Sequence, residues 1–383
     1  MRPDLVVAYC PVGGGHKAAA LATAEAARAR GLSTEVLDTF EHAPRVFGQA
    51  YLAAHLTWQG AMPELYGAAY FAFNRCDGTL EPVRRGIDHV AWGALVRHVI
   101  KLAPRAVVVT HHLPLVVLAH ARRRGRLRAP LVGVVTDYGA HAVWVEQGTD
   151  ALCVPGGGAL RDVVAHGFDA ARTHLTGIPV RSAFEDLGPV REPQPGEPLR
   201  VLITSGGFGV GPIQAVVRSF AGIADVELTI VCGRSAGLVT ATRELVRSHG
   251  LRAEVLGFEN DMAARVGEAH VVVGKAGGLT VSETLAAGRP MVIAGAVPGN
   301  EAINARLVET GRAGVIARPD DVGAVVCQMR AAGAIAAMGT RARQLVLTRA
   351  ADRVVDVALR AHHEARARPG VVLEATLSRI SNR

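Results

Sequence analysis

Twice in this chain a short, almost wholly apolar run stops at a glycine-rich loop and passes straight into a helical stretch. The first case is residues 5–10, then glycines 13–15, then an Ala-rich stretch from about residue 16 to 30. The second is residues 201–204, then the loop at 206–211, then a helical pattern through residue 220. Further apolar runs follow each: residues 34–37, 106–110, 131–136 and 151–154 after the first, and 227–232, 253–256, 270–274 and 291–294 after the second. Helical stretches such as residues 115–124 separate them. Runs that are continuously apolar, without alternation, belong to strands buried on both faces, which is the condition of a parallel sheet covered by helices. Two such series predict an α/β chain of two doubly wound, Rossmann-like domains.

The boundary falls at residues 185–198, where four prolines in 14 residues prevent a helix or a central strand. The expected units are residues 1–184, a linker at 185–198, a second domain at 199–345, and a basic helical tail at 346–383 that returns to the first domain. Hydrophobic residues make up 49% of the 383 and mean hydropathy is +0.23, which excludes a disordered chain. No apolar run reaches the ~18–20 residues that span a bilayer. The first residues enter a strand-like run without a signal-peptide core. A cytoplasmic protein is expected, with a peripheral position on the inner face of the cell membrane left open. The five cysteines stand singly, with no CxxC pair, so neither a disulfide framework nor a zinc knuckle is indicated.

Net charge is +8, and its distribution matters more than its size. Lys and Arg outnumber Asp and Glu by 19 to 15 over residues 1–185 and by 9 to 4 over 341–383, whereas residues 186–340 hold 14 against 15. Such a bias suits anionic partners: a membrane surface, a small anion or nucleic acid. Five arginines in seven residues, Arg122 to Arg128, form the densest basic run. They read as a solvated surface or as a contact for lipid headgroups. Seven of the 17 aromatic residues crowd into residues 47–73, a stretch fitted to a helical core pair, to an apolar groove or to a bilayer interface.

The chemistry concentrates in the loops after the strands. In GGGHK (residues 13–17), Gly14 and Gly15 permit close approach of a ligand, and His16 sits where open α/β sheets bind ligands. An imidazole there can accept a proton from an alcohol; a helix cap is the structural alternative. The loop SGGFG (Ser205, Gly206, Gly207, Phe208, Gly209) lacks the GK[ST] ending of a P-loop. In GKAGGLTVSE, Lys275, Gly277, Gly278, Leu279 and Thr280 precede or open a helix, and their N–H groups and hydroxyl suit a diphosphate. Glu283, one turn on, can accept two hydroxyls of a ribose or simply complement the helix dipole. Asn300, Glu301 and Asn304 open the next helix and can bond sugar hydroxyls, or Asn300 can cap it. Two strand ends face the same crevice as His16: Thr110-His111-His112, whose histidines are expected to point apart, and Thr136-Asp137. Asp137 is the expected partner of His16, and no metal is expected.

Taken together GGGHK, SGGFGVGP, GFENDM, GKAGGLTVSE, PGNEAIN and TGIPVRSAF resemble the processive diacylglycerol glycosyltransferases and plant monogalactosyldiacylglycerol synthases, and more distantly the MurG-type enzymes. The resemblance runs in order from about residue 5 to 320. It implies a GT-B fold, two doubly wound domains facing across a cleft, with a UDP-sugar in the second domain. Ser205 to Gly209 would then face the donor. Phe258 would lie beside the uracil, Gly277, Gly278, Leu279 and Thr280 around the diphosphate, Glu283 on the ribose, and Asn300, Glu301 and Asn304 at the sugar. The family often has Gln where Asn300 stands. Gly14, Gly15, His111 and Trp144 fall on the acceptor side, with His16 as base. No cofactor is implied, because the UDP-sugar is a co-substrate.

The function expected is therefore inverting transfer of a sugar from UDP to a hydroxyl of a lipid, diacylglycerol-like or otherwise apolar, acceptor. No carboxylate pair at glycosidase spacing can be assigned. Three other classes stay open at this point: a transferase for a soluble natural product, an epimerase of the UDP-N-acetylglucosamine type, and a non-catalytic nucleotide-sugar or nucleic-acid binder. Nucleic acid is not expected, since the aromatic residues cluster away from the arginine run.

Overall fold

The computed structural model describes residues 2–44, 46, 48, 50, 92–207, 209 and 211–367. The aromatic stretch at 47–73 and Phe208 lie outside the described residues. Two six-stranded parallel sheets form two lobes. The first runs in the order β2-β1-β3-β4-β5-β6. Its strands are β1 Leu5–Tyr9, β2 Thr34–Asp38, β3 Ala106–Val109, β4 Leu131–Val134, β5 Ala151–Val154 and β6 Thr173–Leu175. The second runs β12-β11-β10-β7-β8-β9. It comprises β7 Leu199–Thr204, β8 Val226–Val231, β9 Ala253–Leu256, β10 Val271–Lys275, β11 Met291–Gly295 and β12 Gly314–Ile316.

Both expected series are present, each with one edge strand, β6 or β12, that the apolar runs do not announce. Both sheets are held from two sides. Val107 and Val109 join a core cluster on one face of the first sheet, while Ala106 and Val108 join a cluster on the other. Each fully buried valine contributes about 1.5–3 kcal/mol relative to exposure.

Strand order reverses between β1 and β3 in the first sheet and between β7 and β10 in the second. Crevices at such reversals, outside the carboxyl ends of the strands, are where doubly wound folds bind ligands. The helix start carrying His16 follows β1 and the turn at His111 follows β3, while the loops containing Gly206 and Gly277 follow β7 and β10.

The crossing between lobes occurs earlier than the proline-rich segment. Ile178 and Val180 already pack with Leu279, Val281 and Leu285 of the second lobe, and Phe184 packs with Leu202. Residues 185–198 are tied down along the second lobe. Glu185 ends the helix Ser182–Glu185, Val190 joins the second core, and the buried Arg289 guanidinium donates to the Gly188 carbonyl at 2.8 Å. The prolines here prevent regular structure without freeing the chain. Within the tail one helix, Ala350–Ala367, is described; it follows the helix Ile335–Leu345 of the second unit after residues that include Arg349 at φ 57°. Val354, Val355, Val357 and Ala358 of the last helix lie in the same cluster as Leu5, Val7 and Val108 of the first lobe. Arg30 pairs with Asp356 at 2.7 Å on the same contact.

Candidate active site

Helix α1, Gly14–Ala29, starts directly after Gly13, whose φ of 77° is one that glycine adopts without strain. This turn puts His16 in the first turn of α1, beside the ends of β3 and β4. The His16 Nδ1 lies 2.8 Å from the Thr110 carbonyl oxygen and 3.1 Å from the Thr136 hydroxyl, and the Thr110 hydroxyl donates to the His16 carbonyl at 2.8 Å. A carbonyl only accepts, so Nδ1 carries the proton and Nε2 carries the lone pair in the neutral ring.

The His16–Asp137 pairing expected from sequence is replaced by this arrangement. Asp137 spends its two carboxylate oxygens on the second lobe: Oδ2 accepts from Asn300 Nδ2 at 2.8 Å and Oδ1 from Asn304 Nδ2 at 2.9 Å. Burial pushes the Asp137 carboxyl up to about 6; the Asn304 bond opposes that rise, and the nearby Glu301 charge adds to it.

The two histidines after β3 also differ from expectation. His112 begins helix α2, His112–Arg123, and His111 caps it, its Nδ1 accepting from the Leu113 N–H at 3.0 Å. The strand ends before them, so the rings do not point apart. They lie 4.1 Å apart, His111 meets His16 edge to face at 4.5 Å, and His112 meets buried Trp144 at 6.5 Å.

Across the cleft, Gly277 caps helix α3, Gly278–Ala286, with no side-chain hydrogen bond to its first N–H groups. Helix α4, Asn300–Thr310, is likewise capped by a glycine, Gly299 at φ 111°, so the capping alternative for Asn300 does not hold. Helix α1 also lacks a side-chain cap. Three helix N-termini therefore meet at the lobe junction with backbone N–H groups available to an anion.

Glu283 faces Arg181, and burial, opposed by that guanidinium, holds its carboxyl up at about 7. Lys275 Nζ pairs with Glu301 at 3.3 Å, and the other Glu301 oxygen accepts from Val297 N–H at 2.8 Å. Asn304 is fully buried; besides Asp137 it donates to the Ala276 carbonyl at 2.9 Å and accepts from Tyr138 N–H at 2.8 Å. Ser205 is buried at the end of β7, its hydroxyl 3.2 Å from the Val231 carbonyl. Gly209, at φ 71°, lies against Ser235. Thr280 accepts through its carbonyl from the Thr284 hydroxyl at 2.7 Å. Phe258 is 46% exposed, and the Arg234 guanidinium lies 3.9 Å from its ring centre.

The lobes touch through backbone. A Cβ on Gly14 would lie 3.7 Å from Gly207, and one on Gly15 would lie 3.4 Å from Leu279. Only hydrogen at Gly278 lets the Thr136 carbonyl sit against it. Tyr138 and Ser282 add a hydroxyl–hydroxyl bond at 3.0 Å. Sequence reasoning missed Thr110 and Thr136 as the groups orienting His16, Tyr138 and Ser282 as a lobe contact, and Arg181 and Arg234 as cations beside Glu283 and Phe258. TGIPVRSAF carries Arg181 in plain view, but its position relative to Glu283 is set only by the fold.

Paired switch-point crevices, one holding an imidazole and the other uncapped helix N-termini, define a two-lobed group-transfer enzyme of the GT-B kind. Comparison with known proteins agrees. A family model for monogalactosyldiacylglycerol (MGDG) synthase matches residues 16–180, and one for the glycosyltransferase family 28 C-terminal domain matches residues 201–317. The chain is a GT-B glycosyltransferase, related at low identity to the diacylglycerol glycosyltransferases. It is 23% identical over 326 residues to a processive diacylglycerol beta-glucosyltransferase of Bacillus cereus, covering 83% of both chains. It is 26% identical over 309 residues to the glycosyltransferase YkoN of Bacillus subtilis, covering 80% of this chain and 82% of that one. Among solved structures, MurG of Acinetobacter baumannii superposes with a TM-score of 0.61 at 20% identity, over 94% of this chain and all of that one. No single helix among the described residues is long and apolar enough to cross a membrane.

Proposed function

We propose that the enzyme transfers a hexose from a UDP-sugar to a hydroxyl of a diacylglycerol-like lipid, with inversion, His16 acting as general base. The observation that carries this is the meeting of the GGGHK loop with the donor-side loops, Gly14 on Gly207 and Gly15 on Leu279. A base in the first turn of α1 is thereby brought beside the diphosphate-type loops of the second lobe.

Transfer needs removal of the acceptor proton and relief of charge on the departing diphosphate. His16, with Nδ1 donating to Thr110, offers Nε2 to the acceptor hydroxyl. As the acceptor oxygen bonds to the anomeric carbon, the bond to the diphosphate oxygen breaks, and the helix N-termini at Gly278 and Asn300 face the growing negative charge. Glu283 would take the ribose diol, with Arg181 favouring its charged form, and Phe258 would supply an apolar face to the base. One direct displacement of this kind inverts the anomeric centre.

The lipid acceptor is supported by the MGDG synthase match to the first lobe and by the diacylglycerol beta-glucosyltransferases among the relatives. Supporting the nucleotide, solved structures of the same fold include Anabaena HepE in complex with UDP-glucose, at a TM-score of 0.52. The deciding experiment incubates the protein with diacylglycerol in mixed micelles and each of UDP-glucose, UDP-galactose and UDP-N-acetylglucosamine. Formation of an inverted glycolipid from one donor is the expected result, and no product with any of them refutes the proposal.

A further inference from the structure

Asn300 has one atom that its surroundings leave unsatisfied. Its Nδ2 donates to Asp137, while its Oδ1 is buried and has no hydrogen-bond partner. A buried amide carbonyl without a donor is a costly group and calls for an explanation. The amide cannot turn over to relieve itself, because that would set its carbonyl against the Asp137 carboxylate, which only accepts. Asn304 shows the contrast. It is held by the same carboxylate, but its own oxygen takes the Tyr138 N–H at 2.8 Å.

We infer that Asp137 is a positioning residue for the donor sugar: from the first lobe it turns the Asn300 amide so that Oδ1 accepts from a sugar hydroxyl. The inference rests on the UDP-sugar reading above and adds what that reading lacks, a reason for this polarity. The diphosphate of a sugar nucleotide cannot fill the position, since as a diester it is fully ionised at neutral pH and its oxygens only accept. The occupant has to donate a hydrogen bond, as a hexose hydroxyl can. The neighbouring groups fit: Glu301, already neutralised by Lys275, lies one residue away, and a Cβ on Gly277 would be 3.9 Å from its Oε1. Because Asp137 and Asn300 come from opposite lobes, the sugar subsite is complete only when the lobes are together. Recognition of the sugar, in contrast to the nucleotide, is thereby tied to closure.

The test is calorimetric titration of the full-length protein with UDP and with the three UDP-hexoses named above. The variants are Asp137→Ala, Asp137→Asn, Asn300→Ala and the double variant Asp137→Ala/Asn300→Ala. The wild type should bind one UDP-hexose more tightly than UDP. Each single variant should keep the UDP affinity and lose about tenfold of the hexose preference, the order of one hydrogen bond, and the double variant should lose no more. A Asp137→Ala protein that keeps the preference overturns the inference. So does one that loses UDP and UDP-hexose affinity equally, because Asp137 would then serve lobe packing alone. If the Asp137 variants do not fold, Asn300→Ala decides by the same criterion. A wild type that binds no UDP overturns the donor reading itself, an outcome distinct from both.

Discussion

His16 Nδ1 lies 2.8 Å from the carbonyl oxygen of Thr110, the residue just past β3, and this contact settles which ring nitrogen holds the lone pair. The side chain is placed by α1 and its tautomer by the neighbouring strand, so the imidazole is oriented as the proposed base role requires. His16→Ala should lower kcat by about 10²–10⁴-fold, the range for loss of a general base. Affinity for UDP, measured by calorimetry, should stay near wild type, because the loops proposed to hold the nucleotide belong to the other lobe. A His16→Ala enzyme with most of its rate would dismiss the assignment.

If Glu283 holds the ribose as proposed, donor binding depends on pH. The Glu283 carboxyl is held at about 7 by burial, partly opposed by Arg181. The ionised form is the better acceptor for two ribose hydroxyls, so UDP affinity should rise from pH 6 to pH 8. Glu283→Gln should bind UDP more weakly and show no such rise.

The same group predicts a stability effect of opposite sense. In the unfolded chain Glu283 ionises near its ordinary value of 4.5, whereas in the fold it holds its proton up to about 7. The unfolded state therefore binds fewer protons between those values, and stability falls as pH rises through that window. Glu283→Gln removes the penalty. Its Tm should exceed wild type at pH 8 and match it at pH 4.5, while donor binding should be worse at pH 8, where the wild-type carboxyl is ionised, and converge with wild type at pH 4.5. A residue whose replacement stabilises the fold and damages binding is held there for function.

How much of this was open to sequence reasoning follows from range. The glycine loops and the long apolar strands are local signals, and they place both crevices. β6 and β12 escaped because they are three-residue edge strands with exposed ends, Leu175 and Ile316, so no apolar run marks them. The histidine pair was misread because a strand end and a helix cap look alike where His-His precedes an apolar stretch. Asp137 was recognised as a site residue, but its partners stand more than 160 positions away. Only the meeting of the lobes decides between them and His16.

The basic run gives a surface prediction. Arg122 is committed to Asp150 at 2.8 Å, but Arg123, Arg124, Arg126 and Arg128 are exposed around the end of α2, whose other end lies by His16. The twelve residues of α2 put that end roughly 18 Å from the base, within reach of one docking face. If these arginines meet anionic headgroups, Arg→Glu changes at all four should abolish flotation with phosphatidylglycerol vesicles and leave UDP affinity unchanged. Wild-type binding should also weaken with salt. Flotation that survives the four changes would assign membrane contact to another surface.

The contact between the lobes leaves no room for a side chain at Gly278. At Gly278, the first residue of α3, a Cβ would run into the Thr136 carbonyl and come within 2.8 Å of Asp137 Oδ1. Both obstacles belong to the first lobe, and the obstructing carbonyl is backbone that cannot swing aside. Within its own lobe, alanine at a helix start is well tolerated. Gly278→Ala should therefore leave each lobe folded, with an unchanged circular dichroism spectrum, while separating the two. Small-angle scattering should show a larger radius of gyration. Because Asn304, Tyr138 and Ser282 would lose their partners along with Asp137, the Tm should also fall, consistent with the loss of several buried hydrogen bonds at about 1 kcal/mol each. Turnover should drop far more than UDP affinity, since the nucleotide loops stay intact and only their approach to His16 is lost. Equal activity in Gly278→Ala and wild type would mean that the contact between Thr136 and Gly278 is not part of the working state.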